Sequence, residues 1–152
     1  MLISRLLKPS YINLNLKSTK RTSAIHETAE LLLNNPSLIN FEGFYQDLLT
    51  RERLETTCIG NSIAFPHART DHVKSIILSV GRSLEGVHFE NCNQIVHLIF
   101  VIGTPKRMTT EYLTVVGALA RILKDPNNRQ ALLTVNTSEE FLQVIEDFES
   151  RL

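Results

Sequence analysis

The spacing of apolar and polar positions changes several times along the chain, and each change predicts an element. Tyr11-Ile12-Asn13-Leu14-Asn15-Leu16 alternates, the period of a half-buried strand. From Ser23 to Asn34 the spacing is helical, with Ile25, Ala29, Leu32 and Leu33 on one side, and Asn34-Asn35-Pro36 ends it. Phe41 to about Leu54 predicts a second helix that turns Phe44, Leu48 and Leu49 inward. Thr56 to His67 has no helical period. It reads as a polar loop that closes on a short extended run, Ser62-Ile63-Ala64-Phe65, with Pro66 forcing extended geometry on Phe65.

Ser75 to Val80 and Ile95 to Ile102 are apolar enough for buried strands, and Gly86, Asn91 and Asn93 between them suit turns. Thr109 to Lys124 predicts a helix with Leu113, Val116, Ala120 and Leu123 as its stripe and Thr109 or Thr110 as its cap. Asp125-Pro126 opens another helix. Thr137 and Glu140 have capping-box spacing before a last helix that buries Phe141, Val144 or Ile145, and Phe148. This order of strand, two helices, about three strands and three helices predicts an α/β domain, with helices covering a mixed sheet. No repeat, low-complexity tract or linker divides the chain, so residues 1–152 read as one domain.

Charge and composition narrow the function classes. Lys+Arg and Asp+Glu both number 16, and no block of like charges occurs. Duplex binding needs clustered cations, so nucleic acid is not an expected partner. The longest apolar stretch, Ile95 to Ile102, is far too short to span a bilayer. Met1-Leu2-Ile3-Ser4-Arg5-Leu6-Leu7-Lys8-Pro9 lacks the apolar run and cleavage site of a signal peptide. Two cysteines outside any CxxC pair make no disulfide framework, and the expected location is the cytoplasm.

Histidine is the residue type with most chemistry to offer. His97 lies in an apolar strand, on the face of Ile95, Ile99 and Val101, and reads as a satisfied core residue. His26 reads as a helix-surface residue, His72 as solvent-exposed beside Asp71, and His88 as a loop residue covering Phe89. His67 follows Pro66 and is preceded by the polar groups of Thr56, Thr57, Asn61 and Ser62. Gly60 permits close approach to a ligand, and Arg51 ends the preceding helix within reach of the same loop. A neutral imidazole beside an arginine and several donors can accept a phosphoryl group and hold its oxygens. Two rival chemistries stay open on residue types alone. One is a metal site from His67, His72 and Asp71, and the other is a thiol–base pair of Cys58 and His67. Cys92 reads as a small loop residue.

Thr50-Arg51-Glu52, then Thr57-Cys58-Ile59-Gly60-Asn61-Ser62-Ile63-Ala64-Phe65-Pro66-His67-Ala68, resembles the active-site signature of the fructose/mannitol-type enzyme IIA domains of the phosphoenolpyruvate-dependent phosphotransferase system. The likeness continues through Phe89-Glu90, Val96-His97-Leu98-Ile99-Phe100 and Tyr112-Leu113 to Leu123, nearly the whole chain. It implies a three-layer α/β/α sandwich with a mixed sheet and helices on both faces. It also implies a cytoplasmic phosphotransferase component that needs no cofactor and no metal. His67 falls on the phosphorylated histidine and Arg51 on the phosphate-stabilising arginine, with Asn61, Ser62, Thr57 and Tyr112 as further phosphate contacts. The implied donor is a phosphorylated HPr-type carrier. The implied recipient is an enzyme IIB domain or, in the nitrogen-type branch, regulatory target proteins. The chain shows no IIB or membrane IIC segment, which favours the stand-alone regulatory branch over a sugar-permease subunit. A binding module that is never phosphorylated is the remaining alternative. Tyr112 stands where many members carry a second histidine, and Cys58, Ser62 and Ala68 stand where glycine is common.

Overall fold

Gln94–Thr104 forms the central strand, β6, because its run of apolar side chains is buried on both faces by helices. In this computed structural model residues 2–152 are described. Met1, the first residue of the expected 1–152 domain and of the N-terminal run read against a signal peptide, lies outside them. The remaining strands are β1 (Ile12–Asn13), β2 (Cys58–Gly60), β3 (Ile63–Ala64), β4 (His67–Arg69) and β5 (Ile77–Phe89). The sheet order is β1-β5-β6-β3-β2, with β4 also on β6. β1 runs parallel to β5, and β3 and β4 run parallel to β6. β5 with β6 and β2 with β3 are antiparallel, so the sheet is mixed as expected.

Six α-helices cover the sheet among the described residues: α1 (Leu2–Leu6), α2 (Arg21–Ala29), α3 (Phe41–Leu54), α4 (Thr109–Lys124), α5 (Pro126–Thr134) and α6 (Ser138–Glu149). α1 packs with α4 and α6 on one side, while α2 and α3 pack together on the other. The result is the expected sandwich with helices on both faces. No described helix is long and apolar enough to cross a membrane.

Several predicted elements are in place. α3 has the expected bounds, Asn40 caps it by accepting from Gly43 N at 3.0 Å, and Phe44 and Leu48 are fully buried. Pro126 opens α5, with the Asp125 carboxylate accepting from Asn127 N. Thr137 caps α6 at the predicted box.

Other expectations are corrected. The predicted first strand is only Ile12–Asn13, preceded by a 3₁₀ turn over Pro9–Tyr11, although the alternating Leu14 and Leu16 are buried. α2 begins at Arg21, and Leu33 is left exposed beyond a 3₁₀ turn over Glu30–Leu32. β5 runs on to Phe89, so the expected turn region, including His88, is mostly strand. The register slips between Arg82 and Val87, where Gly86 takes φ +98°. The stripe of α4 is rotated by about one residue. Val115, Leu119 and Ile122 are buried, whereas Leu113 and Ala120 are exposed and Val116 is half-buried. Neither threonine caps α4, which begins after Met108 without a side-chain cap.

Cys58 and Cys92 are joined as a disulfide, where the sequence suggested two separate thiols. The bond ties β2 to the turn between β5 and β6, across 34 residues. Both thiols should therefore resist an alkylating reagent until a dithiol reductant is added. Labelling of the unreduced protein at either cysteine, seen by mass spectrometry, would contradict the pairing.

Candidate functional site

Pro66 sets the geometry of the site. β3 pairs Ile63 with Leu98 and Ala64 with Ile99, and β4 pairs His67 with Ile102, Ala68 with Gly103 and Arg69 with Thr104. The register is the same on both sides of Phe65-Pro66, so β3 and β4 are one line on β6, interrupted where proline has no N–H to give. Pro66 still accepts from Ile102 N at 3.0 Å. His67 is thus held by the sheet at the first residue after the break, half-buried at the edge of an open depression of about 300 Å³.

Arg51, in the last turn of α3, lines the same depression, as do Arg69 and Lys106. Arg51 Nη1 donates to its own helix end, Glu55 O, at 2.8 Å. The Tyr112 ring, in the first turn of α4, lies 5.5 Å from the His67 ring, tilted by 37°.

The tautomer of His67 follows from one contact. Nδ1 lies 2.9 Å from Phe65 O, and a carbonyl can only accept. Nδ1 therefore carries the proton and Nε2 keeps its lone pair. Burial pushes the His67 pKa below the ordinary 6.5. The Phe65 carbonyl opposes that shift, the Arg51 charge adds to it, and Glu52 opposes it again. The neutral nucleophilic form therefore dominates at neutral pH. Burial raises the Tyr112 phenol, against the pull of Arg51 and Arg69, so Tyr112 is a neutral hydrogen-bonding group there.

His67, Arg51 and Tyr112 come together, but Thr57, Asn61 and Ser62 do not join them. Thr57 is buried, and its hydroxyl donates to Glu52 Oε2 at 2.6 Å, leaving nothing for a phosphate. Asn61 and Ser62 form the β2–β3 turn, at φ 56° and 65°, after Gly60 at +87°. Gly60 serves that turn, since a Cβ there would meet nothing. The Ser62 carbonyl accepts from His97 N and Leu98 N. That is four residues down β6 from the partner of His67, or roughly 13 Å at strand rise.

Neither rival chemistry assembles. Cys58 is bound to Cys92 and offers no thiol. His72 lies 4.0 Å from Asp47, and among the described residues no three His, Cys, Asp or Glu side chains could hold a metal. His97 is half-buried, with Nδ1 2.8 Å from Ser83 O, a satisfied structural histidine as expected. His26 contacts Phe41 and Tyr45 at the rim of a hollow of about 760 Å³, which His67, Arg51 and Tyr112 do not line.

Two residues were given no role by the sequence. Glu52 is buried and holds the start of the loop. Arg69 sits two residues past His67, and the period of a strand was the signal that could have found it.

A family model described as "Phosphoenolpyruvate-dependent sugar phosphotransferase system, EIIA 2" matches residues 5–148. The fructose-specific EIIABC component of Bacillus subtilis is 30% identical over 146 residues, which are 95% of this chain and 23% of that protein. The chain thus spans under a quarter of that multidomain relative. The crystal structure of nitrogen regulatory protein IIA-Ntr from Neisseria meningitidis superposes with a TM-score of 0.87 at 29% identity, covering 95% of this chain and 99% of that one. Enzyme IIA mannitol of Escherichia coli, solved in complex with phosphorylated enzyme IIB mannitol, superposes at 0.80 with 25% identity, covering 93% and 97%.

Proposed function

The chain belongs to the EIIA 2 family of the phosphoenolpyruvate-dependent sugar phosphotransferase system, and on that premise we propose that it carries a phosphoryl group on Nε2 of His67. The observation that supports this most is the contact of Nδ1 with Phe65 O, which leaves Nε2 as the free nucleophile beside Arg51. The donor is a phosphohistidine protein of the HPr type. Its P–N bond breaks, and the electron pair of that bond stays on the donor nitrogen. The Nε2 pair of His67 forms the new P–N bond, while Nδ1 keeps its proton and goes on donating it to the Phe65 carbonyl. Arg51 neutralises charge on the phosphoryl oxygens, and Tyr112 offers a neutral donor beside them.

The nitrogen-type regulatory role is the reading we favour, because IIA-Ntr superposes with a TM-score of 0.87 at 29% identity, against 0.80 at 25% for the mannitol IIA. In that role the phosphorylation state is read by regulatory target proteins. Delivery to an enzyme IIB domain is the second reading, supported by the likeness to the IIA partner of the mannitol complex. Incubation with phosphoenolpyruvate, enzyme I and HPr should give an acid-labile label on the chain. A wild type that takes none would overturn the carrier role. Adding a fructose- or mannitol-type IIB then separates the two readings. A label drained by IIB supports delivery, and a label that stays supports regulation.

The pH dependence follows from the depressed pKa. Only the neutral imidazole attacks, so uptake should hold through neutrality and fall as pH drops through a midpoint below 6.5. Arg51→Ala removes a charge that disfavours imidazolium, so it should raise that midpoint while weakening uptake. Titration of the His67 ring protons by NMR tests both, and a wild-type midpoint at or above 6.5 would contradict the site as described.

A further inference from the structure

Resting on the carrier reading, we infer that Arg69 is a second phosphoryl-binding cation, one that engages the group only after it has reached His67. The alternation of β4 places the argument. His67 and Arg69 are two apart in one strand, so their side chains leave the same face, while Ala68 between them is buried on the other. Both side chains line the one depression.

Arg69 is also held in position. Its Nη2 donates to Lys106 O at 3.1 Å and to Thr109 Oγ1 at 2.9 Å, at the start of α4. Among the described residues, Nη1 and Nε of Arg69 have no hydrogen-bond partner, so one side of the guanidinium fork is anchored and the other is open to an anion.

The two arginines act at different points. The charge of Arg51 reaches both the His67 imidazole and Tyr112, whereas that of Arg69 reaches Tyr112, whose ring lies tilted 5.5 Å from that of His67, but has no part in the His67 shift. A phosphorus bonded to Nε2 stands out from the ring, with its oxygens further out still. Arg51 therefore acts on the nucleophile and on the bound group, and Arg69 acts on the bound group alone. Tyr112 adds no charge near neutral pH, so without Arg69 a dianionic phosphoryl group would face one guanidinium and the Lys106 ammonium.

The test compares Arg69→Gln with Arg69→Lys in the full chain. Gln can still donate a hydrogen bond toward Lys106 O and Thr109 Oγ1 but carries no charge, and Lys keeps the charge. Each variant is equilibrated with phospho-HPr, and the share of phosphoryl on His67 is read by phosphate-affinity electrophoresis. The His67 ring is titrated in parallel. Arg69→Gln should lower that share about tenfold, and Arg69→Lys should restore it to within about threefold of wild type. The unphosphorylated His67 midpoint should stay put in both, whereas Arg51→Ala moves it. Wild-type occupancy in a folded Arg69→Gln protein would overturn the inference, and so would equal losses in Gln and Lys. A wild type that never labels would instead bring down the carrier reading itself, so the two failures are told apart.

Discussion

His67→Ala should end phosphoryl uptake altogether, with no acid-labile label above background at any pH, while the fold remains. The loss is complete because His67 supplies the one imidazole among the residues that line the depression. Cys58 has no thiol while paired with Cys92, Tyr112 is held as neutral phenol by burial, and no base stands beside the Thr50 hydroxyl as an activating partner in the hydrogen bonds of the described residues. The fold remains because His67 is half-buried and its side chain makes one hydrogen bond, to Phe65 O. Losing that contact costs about 1 kcal/mol, a shift of roughly 2–4 °C in Tm for a chain of this size. Arg51→Ala should slow uptake without abolishing it, since the nucleophile and its tautomer are intact. Tyr112→Phe should matter less, because it removes one neutral donor. Label retained by His67→Ala would place the acceptor elsewhere, and Tyr112→Phe failing where Arg51→Ala succeeds would reverse the roles assigned to them.

Local chemistry decided which parts of the fold were legible in the sequence. α3 was predicted with its true bounds because its apolar period is uninterrupted, and α5 and α6 because Asp125-Pro126 and Thr137 to Glu140 are local caps. α1 escaped because it is five residues long and its start is held by Glu149, whose carboxylate accepts from Ile3 N and Ser4 N from 146 and 145 residues away. β5 was cut short because Gly86 reads as a turn residue, while the structure uses its positive φ within a continuing strand. The stripe of α4 was misassigned because apolar side chains surround that helix, and both Leu113 and Val115 satisfy a helical period. Only the sheet decides which of them is covered.

The site divides the same way. His67 and Arg51 could be named because a proline-fixed histidine and a helix-terminal arginine are each visible alone, and the family resemblance joined them. Asn61 and Ser62 are close to His67 in sequence, but an extended chain carries each residue about 3.3 Å further away, so sequence proximity in a strand means separation in space. The pairing of Cys58 with Cys92 depends on how the β5–β6 turn folds over β2, which no spacing rule states.

Glu52→Ala should cost about 3 kcal/mol, because Glu52 is the buried joint of that corner. Its carboxylate accepts from Thr57 Oγ1 at 2.6 Å, from Thr57 N at 3.4 Å and from Asn91 Nδ2 at 3.0 Å. Arg21 Nη1 stands 4.0 Å away, and Glu52 itself is 2% exposed. It thus fastens the end of α3, the start of the loop that leads to His67, the β5–β6 turn and the first residue of α2 to one another. Alanine would leave the two Thr57 donors and part of a guanidinium facing a cavity, with Asn91 Nδ2 keeping the residue-52 carbonyl at 3.3 Å, a loss that no repacking of apolar groups can offset. The expected fall in Tm is roughly 6–12 °C. Glu52→Gln keeps an acceptor oxygen for Thr57 or Asn91 but loses the charge opposite Arg21, so about half that fall is expected. Because Arg51 adjoins Glu52 and the loop leads to His67, Glu52→Ala should also slow phosphoryl uptake in protein that is still folded. Thermal melts by circular dichroism, run beside labelling well below the transition, test both parts. If Glu52→Ala melts with the wild type, the corner is held by the disulfide and by packing, and Glu52 is not its joint.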